Sequence, residues 1–364
     1  MPRAMKNAAA PSEPSAEPTD AASDAGPQPA TAPGGSPTPD APPRSRSDRA
    51  AVLVELEMRA VETRLAERMD SPIGAIPRVG AHLLDAGGKR LRPLLAVLAA
   101  RAAGVPLELG VAVGCAAELI HTATLYHDDV VDDGRVRRGR PAARMVFGNG
   151  IVVLVGDFCL ARALETVALT GSLPVVLSLA ATVTEMAEGE VAQLERAGNP
   201  DATIEDYFRV IDRKTASLIA WCTRVGGAVG PVFEGPLERY GRALGRAFQI
   251  ADDVLDSDAD EATAGKSVGH DLTEGKLTLP ILLACEAAPV FGRYVRAQLG
   301  ERGVPADVAA DILQRSRAAG GIARARQKAR ELALAAAQEL AVLPESPHRE
   351  ALRDLALFAA DRRS

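Results

Sequence analysis

Positive charge is not in surplus in this chain. Its 364 residues include 42 Lys and Arg against 48 Asp and Glu, a formal net charge of −6. No broad basic surface is therefore offered to nucleic acid, and an anionic ligand must find local clusters of Lys and Arg. Cysteine is scarce as well: Cys115, Cys159, Cys222 and Cys285 are widely spaced in apolar surroundings and form no C-x-x-C pair. They read as buried thiols, and zinc-type histidine spacing is missing too. Long apolar runs are expected to be missing, since stretches such as 150–164 are broken by Asp157 and Arg162. On that reading nothing reaches the roughly 18–20 residues that span a bilayer, and with no signal peptide the cytoplasm is the expected location. A P-loop, a G-x-G-x-x-G and a G-x-S-x-G are all missing, which removes kinase and dinucleotide-enzyme readings and leaves a serine nucleophile unsupported.

What is present divides into two compositions. Residues 1–48 are rich in Pro, Ala, Ser and Asp and contain no aromatic residue; with no apolar periodicity to offset the entropy of ordering, they read as a disordered tail. From 49 to 364, Ala, Leu, Val, Arg and Glu dominate, β-branched alternation is rare, and Gly or Pro punctuates runs of roughly 12 to 25 residues. Helices are predicted over 49–68, 75–86, 92–103, 107–132, 140–170, 174–196, 203–225, 235–256, 275–299, 305–318 and 321–341. The expectation is a single all-α domain. Its amphipathic C-terminal helices are expected to pack on the core, transient membrane contact being the alternative.

Two acidic clusters of identical spacing stand out: Asp128-Asp129-Val130-Val131-Asp132 and, about 120 residues later, Asp252-Asp253-Val254-Leu255-Asp256. Each follows an apolar stretch, so each ends or interrupts a helix that should be buried. Residues four apart share a helix face, so Asp128 and Asp132 repel each other, as do Asp252 and Asp256, unless cations lie between them. A single cluster of this kind is usually a solvated helix end. Two copies behind apolar helix make that reading much weaker. A calcium loop starting at Asp129 fails at Val131 and Arg140. Carboxylates with few His or Cys nearby suit a hard ion, and Mg²⁺ takes one or two carboxylates together with substrate phosphates.

A Mg-bound phosphate ester needs balancing cations, and four places supply them: Lys89 and Arg92 in Gly87-Gly88-Lys89-Arg90-Leu91-Arg92-Pro93, the pair Arg137-Arg138, Arg213-Lys214-Thr215, and Lys266 with Lys276. Taken singly, each lysine is an ordinary solvated residue. Near the clusters, His121 and His127 read as core histidines or ligand contacts, Gln249 as a structural amide or a partner of the second cluster, and Phe248, Met186 and Tyr126 as core.

In order, these motifs together with Glu118–Leu125, Arg137-Arg138-Gly139, Gly156-Asp157, Glu188-Gly189-Glu190, Lys214-Thr215-Ala216 and Gly269-His270-Asp271 resemble the trans-isoprenyl diphosphate synthases, and within them the long-chain polyprenyl branch. The similarity runs from about residue 50 to the C-terminus. It implies an isoprenoid-synthase-type helical bundle around a deep central cavity, with the clusters facing each other across its mouth, and a homodimer.

The resemblance also implies roles. Asp128, Asp129, Asp132, Asp252, Asp253 and Asp256 would hold Mg²⁺, three ions per site, gripping an allylic diphosphate. Arg137, Lys214, Lys266 and Lys276 would bind that diphosphate, and Thr215 and Gln249 would contact or position the allylic substrate. Lys89, Arg92, His121 and Arg138 would bind isopentenyl diphosphate. The implied reaction is head-to-tail (1′–4) condensation to a long all-trans polyprenyl diphosphate, of octaprenyl length, serving as a quinone side-chain precursor. Ala123, five residues before Asp128, would leave the product tunnel open where a bulky side chain would block it. The alternatives are a short-chain farnesyl or geranylgeranyl synthase, a class I terpene cyclase, and a silent regulatory subunit.

Overall fold

A computed structural model describes residues 46–84, 87–226, 231–258, 269–300 and 303–360. The acidic, Pro-rich segment assigned as a tail therefore lies outside the described residues up to position 45, and so does Lys266. The chain is helical from Arg46 onward, and the described residues belong to one compact unit spanning Arg44–Ser364.

The all-α expectation holds, with the helices cut more finely than predicted. The helix over 49–68 is two, α1 (Arg46–Leu53) and α2 (Glu55–Met69), broken at Val54, whose backbone leaves the helical region (φ −127°, ψ 36°) while its side chain is fully buried. After α3 (Ala75–Leu84), α4 (Leu91–Ala103) and α5 (Leu107–Val131) comes a hairpin missing from the sequence expectation, β1 (Val136–Arg137) paired with β2 (Arg140–Pro141). Arg138 and Gly139 between the strands both have positive φ, 52° and 73°, the requirement of a tight two-residue hairpin turn. The predicted helix over 140–170 becomes α6 (Ala143–Phe147) and α7 (Asn149–Ala168), separated at Gly148 with φ 81°.

Next come α8 (Leu173–Arg196) and α9 (Ile204–Ile211), then a π-helical turn over Asp212–Ala216 that leads into α10 (Ser217–Gly226). The long α11 (Pro231–Asp258) carries the second cluster. The predicted helix over 275–299 is preceded by the single turn α12 (His270–Thr273) and is itself split into α13 (Leu279–Ala287) and α14 (Pro289–Gln298). Pro289 lacks an N–H and disfavours helical geometry at Ala288, which ends α13 there. The fold closes with α15 (Ala306–Ala318), α16 (Gly321–Glu339) and α17 (Pro347–Ala360).

The last of these was not anticipated. Leu352, Leu355 and Ala356 of α17 join the main core, and the Tyr240 hydroxyl of α11 donates to the Leu352 carbonyl at 2.8 Å. Burying each leucine is worth roughly 1.5–3 kcal/mol, so this face of α17 belongs to the core.

The core is centred on α5, which packs against α7, α4 and α2, while α10 is the neighbour that α5 and α11 share. Contrary to expectation, α5 is long and apolar enough to cross a membrane by length and composition, but 78% of that window is buried inside the protein. Small side chains permit such close packing: a Cβ at Gly156 on α7 would fall 2.3 Å from Nε2 of His127 on α5.

Candidate active site

The first cluster sits where α5 ends, with Asp132 as its C-terminal cap, and the second lies in the last turns of α11. The members of each cluster differ. Asp129 is 2% exposed, and its Oδ1 accepts from Arg137 Nε at 2.8 Å and Nη2 at 2.6 Å. Asp253 is 5% exposed, and both of its oxygens are engaged: Oδ1 accepts from Gln249 Nε2 at 2.9 Å and Oδ2 from the Tyr207 hydroxyl at 2.6 Å. Thr215 in turn donates to Gln249 Oε1 at 2.9 Å. The middle aspartates are thus bound by the protein itself, while Asp128, Asp132, Asp252 and Asp256 are each half-buried on the face expected from four-residue spacing.

Anionic charge is crowded at this mouth. Burial, reinforced by the Glu190 and Asp132 carboxylates and opposed by Lys214 and Arg137, pushes the Asp128 carboxyl up to about 6. Asp253 is likewise raised, first by burial and then by Asp271. Cations gather against this charge. Lys276 Nζ lies 2.7 Å from Glu274 and 3.5 Å from Asp132, so the segment after the second cluster reaches the first. Lys214 pairs with Glu190 of α8. The π-helical turn carrying Lys214 and Thr215 is gripped by Arg246 of α11 through Asp212, and π-turns of this kind recur at functional sites. A cavity of about 200 Å³ beside Asp253 is lined by Tyr207, Lys214, Thr215, Gln249, Asp271 and Lys276.

A second basic group gathers around Arg92, His121 and Arg138. Arg92 stands in the first turn of α4, its Nε buried without a hydrogen-bond acceptor, and the Asp252 and Glu118 charges act on it. Burial and the positive charge of Arg92, Arg138, Arg137 and Arg90 hold His121 well below the usual histidine range. Arg138 donates to the Leu83 carbonyl at 3.2 Å and to that of Gly87, which ties the hairpin to the Gly87-Gly88-Lys89 loop. Arg90 is occupied elsewhere, paired with Glu62 at 2.7 Å and Glu118 at 2.9 Å.

Among the described residues, no three His, Cys, Asp or Glu side chains converge into a ready-made metal cage. The donor set is nevertheless that of a hard divalent ion completed by ligand phosphates: several carboxylates, among them Asp128 raised first by burial and then by Glu190 and Asp132, flanked by lysines and arginines. Residues 75–314 match the family profile of polyprenyl synthetases. The chain belongs to that family. It is 42% identical to octaprenyl diphosphate synthase of Escherichia coli over 85% of this chain and 97% of that protein. It is 37% identical to an all-trans-nonaprenyl-diphosphate synthase of Rhodobacter capsulatus over 85% of this chain and 96% of that one. Among solved structures it is similar to a polyprenyl synthase of Caulobacter crescentus complexed with calcium and isoprenyl diphosphate, with TM-score 0.82 and 39% identity over 88% of this chain and all of that one. Membership brings the isoprenoid-synthase all-α fold and the use of Mg²⁺.

Within this family setting, the residues singled out from sequence fall into two groups. Asp128, Asp132, Lys214 and Lys276 are linked by charge, as Thr215, Gln249 and Asp253 are by hydrogen bonds, and Arg92 and Arg138 act on His121, with Lys89 in the loop that Arg138 holds. Arg137 joins them through Asp129. Ala123 is not at the cavity beside Asp253; it is fully buried in the main core. Of the residues given no definite role, His127 contacts the Val153 carbonyl at 3.2 Å and lies 3.3 Å from Asp157, and Tyr126 is core, donating to the Val79 carbonyl. Sequence reasoning missed Tyr207, whose seven-residue spacing before Lys214 was the available signal, and it gave no role to Glu190 or Glu274.

Gly189 of α8 shows how tightly Lys214 is placed. A Cβ there would meet Arg213 Cβ and Lys214 N at 2.7 Å. Gly189→Ala is expected to destabilise the protein by roughly 1–3 kcal/mol through overpacking, read as a lower urea midpoint; an unchanged midpoint would show that the turn can move away freely.

Proposed function

We propose that this protein is a magnesium-dependent prenyltransferase that adds isopentenyl diphosphate head-to-tail (1′–4) to an allylic diphosphate, giving an all-trans polyprenyl diphosphate of octaprenyl length. The observation that carries this is the pairing of two carboxylate clusters with two separate basic groups, one beside each substrate's assigned place. Lys214, Lys276 and Arg137, with Lys266, take the allylic diphosphate; Lys89, Arg92, Arg138 and His121 take isopentenyl diphosphate. Mg²⁺, which the aspartates of both clusters would hold, would supply further charge neutralisation of the leaving group.

The lysines and Arg137 stabilise the diphosphate as it departs with the electron pair of the allylic C–O bond. The allylic cation left in the apolar interior is attacked by the isopentenyl double bond. Loss of a proton to the released diphosphate restores an allylic diphosphate one unit longer. The basic group around Arg92 argues against a terpene cyclase, which has no use for it, and the intact aspartates argue against a silent subunit. Incubation with Mg²⁺, farnesyl diphosphate and labelled isopentenyl diphosphate should give long linear products after dephosphorylation; a cyclic hydrocarbon, or no turnover by folded protein, would overturn the reading.

Product length we assign to the path along α5. Ala112, Gly114, Cys115, Ala116, Ala117 and Ala123 keep that helix slim, and the long-chain relatives support an open path. Ala123→Phe is expected to shorten the product, measured by sizing the dephosphorylated chains; an unchanged length would remove Ala123 as a gate.

We also infer a homodimer. Ile151, Leu154, Leu164, Leu173, Leu177 and Leu194 on the consecutive helices α7 and α8 are large apolar side chains left exposed, more than a monomer normally presents along adjacent helices. Sedimentation at micromolar concentration should report a dimer that Leu154→Asp weakens; a wild-type monomer there would refute this.

A further inference from the structure

Tyr207 is given no place in the reading above, yet its hydroxyl contacts the buried carboxylate of the second cluster at 2.6 Å. It lies on α9, whose start is fixed by a reciprocal cap: Thr203 Oγ1 accepts from Asp206 N, and the Asp206 carboxylate accepts from Thr203 N. Asp206 is also held by Arg196 at 2.9 Å, and the Phe208 ring packs edge-on against Tyr207 at 5.5 Å. The phenol is therefore delivered from a rigid element. Its hydroxyl reaches Asp253 Oδ2 at 2.6 Å, opposite the Gln249 amide on Oδ1, itself steadied by Thr215. Two donations converge on one buried carboxylate, from Gln249 of α11 and Tyr207 of α9, and Thr215 of the π-helical turn donates in turn to Gln249.

We propose that Tyr207 is a positioning residue for the second aspartate cluster: by holding one oxygen of Asp253 while Gln249 holds the other, it fixes the orientation in which this end of α11 meets the metal and the allylic diphosphate. It acts through Asp253 and has no role in binding isopentenyl diphosphate, whose basic group lies around Arg92 and Arg138. With its two oxygens each accepting one hydrogen bond, Asp253 keeps one lone pair per oxygen. Its orientation, rather than its charge, is what the tyrosine sets. Groups that orient metal ligands in this way typically cost 10–100-fold in metal affinity when removed.

The proposal rests on the second cluster holding Mg²⁺, and the test separates the two ideas. Mg²⁺ is titrated calorimetrically into the wild-type protein and Tyr207→Phe in the presence of inorganic diphosphate. Binding by the variant is expected to be roughly ten-fold weaker, the Mg²⁺ concentration giving half-maximal rate should rise by the same factor, and KM for isopentenyl diphosphate should stay unchanged. Equal Mg²⁺ binding by the two proteins overturns the role of Tyr207. No Mg²⁺ binding by the wild type overturns the metal reading instead. A purely structural role is separated by placing Tyr207→Phe in an Asp253→Ala background, where it should cause no further loss; an equal additional loss there shows that the tyrosine does not act through Asp253.

Discussion

Repulsion between carboxylates at short range is the constraint around which the mouth of this bundle is arranged. Two like charges 4 Å apart at an effective dielectric near 20 cost about 4 kcal/mol, and here six aspartates share the region with Glu190, Asp271 and Glu274. The protein answers in two ways. The middle residue of each cluster is turned into the structure and covered by fixed donors, Arg137 for Asp129 and the Tyr207–Gln249 pair for Asp253. The outer residues are half-buried, and around Asp128 burial together with Glu190 and Asp132 outweighs Lys214 and Arg137, so that its carboxyl is pushed up to about 6 and a residual imbalance is left. That residual imbalance is what divalent cations and a diphosphate with its own charges are suited to resolve, and it makes the two clusters parts of one electrostatic problem.

The placement of the compensating cations is a packing matter. Lys214 occupies a π-helical turn pressed against Gly189 of α8 on one side and anchored through Asp212 to Arg246 of α11 on the other. The turn widens the helix by one residue's worth of backbone, so that Lys214 and Thr215 present to the site together. Lys276 follows Gly275, whose φ of 78° is a left-handed value and whose carbonyl accepts from Gly198 N at 2.9 Å. Both lysines are therefore held by backbone as well as by ion pairs, and their exchangeable partners, Glu190 and Glu274, serve as counterions from within the fold.

How much of this was legible in the sequence follows from the kind of signal each feature leaves. The clusters and the basic motifs are local patterns, and their chemistry could be read from residue type and spacing. The helical character of the domain came from composition and punctuation. The features that escaped are set by tertiary contact. The break at Val54 exists because a side chain enters the core; the π-turn differs from an α-helix by one residue and has no composition of its own; α17 looks like a polar tail until Leu352 and Leu355 are seen buried against α11. The unequal status of the aspartates was invisible for the same reason, since D-D-x-x-D assigns all three the same chemistry and only burial separates them. Tyr207 is the instructive miss, because its partner is 46 residues away in the chain.

The hairpin turn shows why the two basic groups are not independent. Arg137 and Arg138 are neighbours in a strand-and-turn, where successive side chains leave on opposite sides. One goes to Asp129 at the base of the first cluster and the other to the Leu83 and Gly87 carbonyls beside the Gly87-Gly88-Lys89 loop. Arg138 adopts φ 52° to do so, a conformation that a non-glycine residue keeps only where its surroundings demand it. A shift of the turn that improved one contact would therefore loosen the other. The separation between Asp129 and the Gly87-Gly88-Lys89 loop is set by this short rigid link, while α5, which carries both the first cluster and His121, fixes the spacing of those two a second time.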